Sequence, residues 1–206
     1  MQANSLGTAL IEAAEVNGVG VNFWTDPGKS KHFSYAQLLE NAYAVAAALE
    51  TRGVKKGDAV AIVLSTGPDF YAAFFGVSLI GGVPTALYPP ARLGRVDEWK
   101  NRTAQMLTAV DAVMVLTERR LVPLLGTPVR NAQPRFGCTT TQSLQQEGAG
   151  RKPAQCQSAE LAAIQFSSGS TGDPKPVALS HDNMLSNART ILDSLPLPAE
   201  ERSGVS

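Results

Sequence analysis

Three short apolar runs constrain this chain more than any other feature: "AVAIVL" (Ala59–Leu64), "VPTAL" (Val83–Leu87) and "AVMVL" (Ala112–Leu116). A strand with one wet face alternates apolar and polar residues. A nearly continuous apolar run suits a strand covered on both faces. Helical signals separate the runs. Ser34 with Gln37 three residues on forms a capping box, and Gly53 closes the helix that they open. Pro68 suits the first turn of a helix reaching about Ile80. Val96–Val110 reads as a helix, and Arg119–Leu125 as a short one. Strand and helix alternate, and the strands are buried. That pattern predicts an α/β fold with a mostly parallel sheet and helices on both faces.

The flanks are less regular. Ser5–Val16 reads as a short amphipathic helix, and "TDPGKS" (Thr25–Ser30) as a turn between two short strands. From Gly126 to Gln157 the pattern weakens, and "QEGAGRKPAQCQ" (residues 146–157) reads as a surface linker. "LAAIQF" (Leu161–Phe166) and "VAL" (Val177–Leu179) then read as strands, followed by a helix capped near Asp182 and ending about Ser194. "LPLPAEERSGVS" stops as a further strand would begin, so a piece of a longer protein is expected, incomplete at its C-terminus.

Charge and cysteine usage narrow the function classes. The 18 basic and 18 acidic side chains cancel, which argues against nucleic acid as a partner. Eight Lys/Arg against four Asp/Glu between Arg92 and Arg135 read as a solvated face. Cys138 and Cys156 have no metal-ligand spacing with each other or with His32 and His181. They read as free thiols of a reducing compartment, and hence of a cytoplasmic protein. The N-terminus lacks the basic flank and long apolar run of a signal peptide. Phe70–Tyr88 approaches the length of a membrane span, but Gly81, Gly82 and Pro84 divide it into a helix and a strand.

The stretch "QFSSGSTGDPKPVALSH" (Gln165–His181) carries the chemistry. Gly169 and Gly172 let the backbone turn tightly and approach a ligand. Ser167, Ser168, Ser170 and Thr171 offer hydroxyl donors, successive N–H groups can form an anion nest, and Lys175 adds a charge held by Pro174. This is not a Walker A loop. Pro176 and a strand follow the lysine, so no helix N-terminus can face the phosphates. The second candidate, Gly28-Lys29-Ser30, has Phe23 where that motif requires glycine.

"SSGSTGDPK" resembles the phosphate loop of the AMP-forming adenylating enzymes, which include acyl-CoA synthetases, adenylation domains of peptide synthetases and luciferases. "FFGVSLIGGVPTALYPPARLGRVDEWKNR" (Phe74–Arg102) resembles their fatty acyl-AMP ligase branch, and the likeness runs from about Phe33 to Asn187. The resemblance implies that a fatty or other carboxylic acid attacks Mg²⁺-ATP to give acyl-AMP and pyrophosphate. The acyl group then passes to an acyl carrier protein or coenzyme A. Ser168, Gly169, Ser170, Thr171, Gly172 and Lys175 would hold the β- and γ-phosphates. Pro176 departs from the glycine usual after this lysine and removes one N–H. The family's adenine pocket, magnesium-binding glutamate, hinge, catalytic lysine and small C-terminal domain would lie further along. The chain is therefore expected to hold no catalytic residue and to be inactive alone. A non-catalytic nucleotide-binding or interaction module is the alternative.

Other polar and aromatic residues receive structural readings. His181 is read as a cap of the helix that follows it, and His32 as a surface residue. Arg92 and Arg95 are read as partners of Asp97 and Glu98. The helically spaced Phe70, Tyr71, Phe74 and Phe75 are read as core.

Overall fold

The computed structural model describes residues 3–26, 28–90, 95–150, 161–167 and 174–195. Helix α1 (Leu6–Ala14) is followed by strands β1 (Gly20–Asp26) and β2 (Lys29–Ser34), which pair as an antiparallel hairpin. Ser34 then caps α2 (Tyr35–Thr51): its Oγ accepts the Gln37 N–H at 3.2 Å, and Gln37 Oε1 accepts the Ser34 N–H at 2.9 Å. Gly53 ends that helix with φ +91°, in the left-handed region that favours glycine. Next come β3 (Ala59–Val63), α3 (Pro68–Leu79), β4 (Val83–Leu87), α4 (Val96–Ala109), β5 (Met114–Thr117) and α5 (Val122–Ala132). The remaining elements are β6 (Cys138–Thr140), α6 (Thr141–Gly148), β7 (Leu161–Ser167), β8 (Lys175–Ser180) and α7 (His181–Ser194).

Among the described residues the main sheet has the order β6-β5-β3-β4-β7-β8. The first five strands run parallel, and β8 returns antiparallel to β7. The chain moves one way from β3 to β4 and the other way from β4 to β5. Right-handed crossovers therefore send α3 and α4 to opposite faces. The packing agrees: α3 lies with α1, α2 and α6, whereas α4 packs on α5.

The period-two pleat of β3 explains its unbroken apolar run. Val60, Ile62 and the following Leu64 join Leu38, Leu49, Leu79 and Leu144 in one core layer. Ala61 and Val63 face the other way, toward Leu107 and Leu125. Every β3 residue is buried, and each large side chain contributes about 1.5–3 kcal/mol. Phe70, Tyr71, Phe74 and Phe75 pack against the first layer, and Phe23 meets Tyr71 edge-to-face at 5.3 Å.

Three regions depart from the sequence reading. The helix expected at Arg119–Leu125 begins at Val122 and runs to Ala132, despite Pro128 in its interior. The weak region contains β6, three half-buried residues, and α6. Helix α6 is held by Leu144 in the core and by Arg52, whose Nε donates to Glu147 Oε2 at 3.0 Å. The linker expected over 146–157 therefore starts inside α6, since Gln146, Glu147 and Gly148 are helical; its residues 151–157 lie outside the described residues.

Candidate phosphate-binding hairpin

The five parallel strands place their carboxyl ends, Val63, Leu87, Thr117, Thr140 and Ser167, along one side of the sheet. Ligands of open α/β sheets bind outside such ends, where neighbouring connections diverge. Two places meet that description here. At the β5/β3 boundary, Arg120 Nη2 donates to Ser65 Oγ at 2.7 Å and to Glu118 Oε1 at 3.0 Å. Below them the buried Thr117 hydroxyl donates to the Val63 carbonyl at 2.9 Å, tying the two strand ends together. At the β4/β7 boundary stands the hairpin of interest.

Thr85 pairs with Ile164 across β4 and β7. Three residues beyond that pair are Tyr88, just past the end of β4, and Ser167, the last residue of β7. Tyr88 is 80% exposed, and its carbonyl accepts the Trp99 indole N–H at 2.8 Å. Across β7 and β8, Ser167 pairs with Lys175. The structure thus brings Ser167 and Lys175 together at the base of the hairpin. Ser168, Gly169, Ser170, Thr171 and Gly172 lie outside the described residues. Lys175 is exposed and has no ion-pair partner among the described residues, so its charge is available to an incoming anion. Pro176 is the second residue of β8. That strand is at the sheet edge among the described residues, a place where a missing N–H is tolerated.

His181 differs from its sequence reading. The cap of α7 is Ser180, whose Oγ accepts the Asn183 N–H at 3.1 Å. His181 occupies the first helical position. It is only 5% exposed, and burial lowers its pKa. Its Nδ1 accepts the Leu6 N–H at 3.1 Å, a contact 175 residues apart in sequence that no local pattern announces. His32 is exposed and hydrogen-bonds Asn22 Oδ1 at 2.9 Å. Arg95 pairs with Glu98 at 3.7 Å, while Asp97 pairs with Lys100 at 3.2 Å; Arg92 lies outside the described residues. Cys138 is a free thiol with its pKa pushed up by burial to about 11, and Cys156 lies outside the described residues. Among the described residues no helix is long and apolar enough to cross a membrane.

Fold and hairpin together define an α/β protein in which Ser167 and Lys175 pair at the carboxyl edge of a mostly parallel sheet. The chain belongs to the AMP-binding enzyme family, whose pattern matches residues 12–203. It is 32% identical over 173 residues to phenyloxazoline synthase MbtB of Mycobacterium tuberculosis, covering 84% of this chain and 11% of that protein. It is 25% identical over 169 residues to 4-coumarate–CoA ligase 3 of Oryza sativa subsp. japonica, covering 82% of this chain and 30% of the ligase. Among solved structures, the fatty acyl-adenylate ligase of L. pneumophila in complex with acyl adenylate and pyrophosphate aligns with TM-score 0.76 and 26% identity. That alignment covers 94% of this chain and 33% of the ligase. The chain therefore spans about a third or less of these relatives.

Proposed function

We propose that the chain supplies the pyrophosphate grip of an ATP-dependent acid–thiol ligase of the fatty acyl-adenylate type. The observation that carries this reading is the hairpin base. Lys175 stands opposite Ser167 at the carboxyl end of the parallel sheet, with no competing carboxylate among the described residues.

ATP fits these residues. Lys175 would balance charge on the β- and γ-phosphates, and the hydroxyl and backbone donors of 167–172 would direct hydrogen bonds to the same oxygens. A substrate carboxylate oxygen attacks the α-phosphorus, and the bond from that phosphorus to the bridging oxygen of the β-phosphate breaks. Pyrophosphate leaves with the electron pair. Donors already positioned around it stabilise the charge that grows as it departs. A thiol, on an acyl carrier protein or coenzyme A, then attacks the acyl carbonyl, and AMP leaves. The described residues contain no cluster of three or more metal-ligating side chains, so no magnesium ligand is assigned to them. A fatty acid is favoured among carboxylates by the likeness to the L. pneumophila ligase. A cytoplasmic setting fits the neutral, free thiol at Cys138.

The test is carboxylate-dependent ATP–pyrophosphate exchange by the full-length protein across short, long and aromatic acids. Exchange with a fatty acid is expected. Nucleotide binding without exchange for any acid would replace the ligase with a non-catalytic module.

A further inference from the structure

We infer that His181 is a positioning residue for the phosphate hairpin, fastening the helix that follows the return strand β8 to the first helix of the chain. The inference rests on the reading of the hairpin given above.

Helix α7 packs chiefly on β7 and β8, the two arms of the hairpin. Its only buried residue is His181; the rest of the helix is half-buried or exposed. This unit joins the body of the protein at two places. One join is the β4–β7 edge at Thr85 and Ile164. The other is the N-terminal segment. The Leu6 N–H belongs to the first turn of α1, where four backbone donors lack intrahelical partners, and it donates to His181 Nδ1 at 3.1 Å. Because Nδ1 accepts, the imidazole is the neutral tautomer with its hydrogen on Nε2. Two turns further along α7, Arg189 Nη2 donates to the Ala3 carbonyl at 3.0 Å. These two bonds grip opposite ends of the same short stretch, one by its acceptor and one by its donor. They hold α7 in place, and through α7 they set the position of β8 and of Lys175 at its start. His181 touches no phosphate in this scheme. It acts through the strand that precedes it.

Leu6→Pro is a selective probe. Proline suits the first helical position and deletes the N–H, and Ser5 before it is already extended (φ −145°, ψ 162°), the shape that a residue preceding proline takes. His181→Phe deletes the acceptor and keeps a ring, while His181→Asn returns an acceptor near the Nδ1 position. Steady-state exchange is measured in the full-length protein with Mg-ATP and the acid varied separately. Leu6→Pro and His181→Phe are expected to raise KM for Mg-ATP about five-fold, the factor one net hydrogen bond is worth, with KM for the acid within about twofold of wild type. His181→Asn is expected to restore the ATP value. If His181→Phe does not fold, Leu6→Pro and Arg189→Ala read the same quantity. Variants that lower Tm but keep KM for Mg-ATP at the wild-type value would overturn the inference. Lys175→Ala, run alongside, separates the failures. If it leaves both KM and kcat/KM for Mg-ATP unchanged, the hairpin is not the phosphate grip. If it raises KM while Leu6→Pro and His181→Phe do not, only the positioning role is lost.

Discussion

Replacing Gly76 by alanine tests how α2 and α3 are built to meet. A Cβ at Gly76 would lie 2.8 Å from Val45 Cβ and 3.0 Å from the Ala42 carbonyl oxygen. Ordinary carbon contacts sit near 3.5–4.0 Å, so the two helices would have to part by about 1 Å at their closest approach. Neither obstacle is a flexible side-chain tip, so local repacking cannot relieve the overlap. Overpacking of this kind costs about 1–3 kcal/mol, and the better helix propensity of alanine returns about 1 kcal/mol. A net loss of up to about 2 kcal/mol follows, or a Tm lower by up to about 8 °C for a chain of this size. Gly126→Ala is the matched control. Gly126 is an exposed glycine inside α5, and nothing lies within 4 Å of its Cβ position. There the propensity gain stands alone, so about 0.5–1 kcal/mol of stabilisation is expected. Urea denaturation of both variants at constant m-value gives the two signs directly. A Gly76→Ala protein stabilised as much as Gly126→Ala would refute the close-approach reasoning.

Three further outcomes follow from the titratable groups and the sheet edge. Burial lowers the pKa of His181 below its usual 6.5, so its contribution is fully present above that value. It is lost as pH falls from there through the folded-state pKa, because the unfolded chain then binds the extra proton. A melting series should therefore show a drop in Tm on acidification that His181→Asn reduces. The Cys138 thiol, with its pKa raised from 9.0 to about 11, should alkylate far more slowly at pH 8 than the same cysteine in the urea-unfolded chain. Equal rates would contradict its burial. Arg120→Met removes an exposed ion pair with Glu118, in which the arginine side chain is 67% exposed. It should change stability by less than about 1 kcal/mol in denaturant titration.

The sheet was legible because its central strands are unusual: only a strand covered twice can be as uniformly apolar as Ala59–Val63. The capping box at Ser34 and the closing Gly53 were legible for a related reason, since each answers a local backbone demand. Elements held by distant partners were not. Strand β6 has three half-buried residues and no apolar run, and it exists because β5 offers it a ladder. Helix α6 depends on a fit against α2 so close that a Cβ at Gly148 would collide with the Ala44 carbonyl. Helix α5 outruns its sequence reading because Gly126 and Pro128 weaken the pattern after Leu125, whereas the helix carries both in its interior. At the candidate site, Ser167 and Lys175 were named from the loop composition, and their pairing across the hairpin is visible only in the fold. His181 was seen as a local cap, because sequence spacing holds no trace of Leu6 as its partner.

The central proposal is that Lys175 faces the departing pyrophosphate, and its most direct test is the Lys175→Ala variant of the full-length protein in carboxylate-dependent ATP–pyrophosphate exchange. A charge-assisted hydrogen bond of about 1.5–3 kcal/mol corresponds to a fall in kcat/KM for ATP of about 10- to 150-fold, with Lys175→Arg recovering part of the loss. Unchanged kinetics of Lys175→Ala at limiting ATP would remove the hairpin from the mechanism.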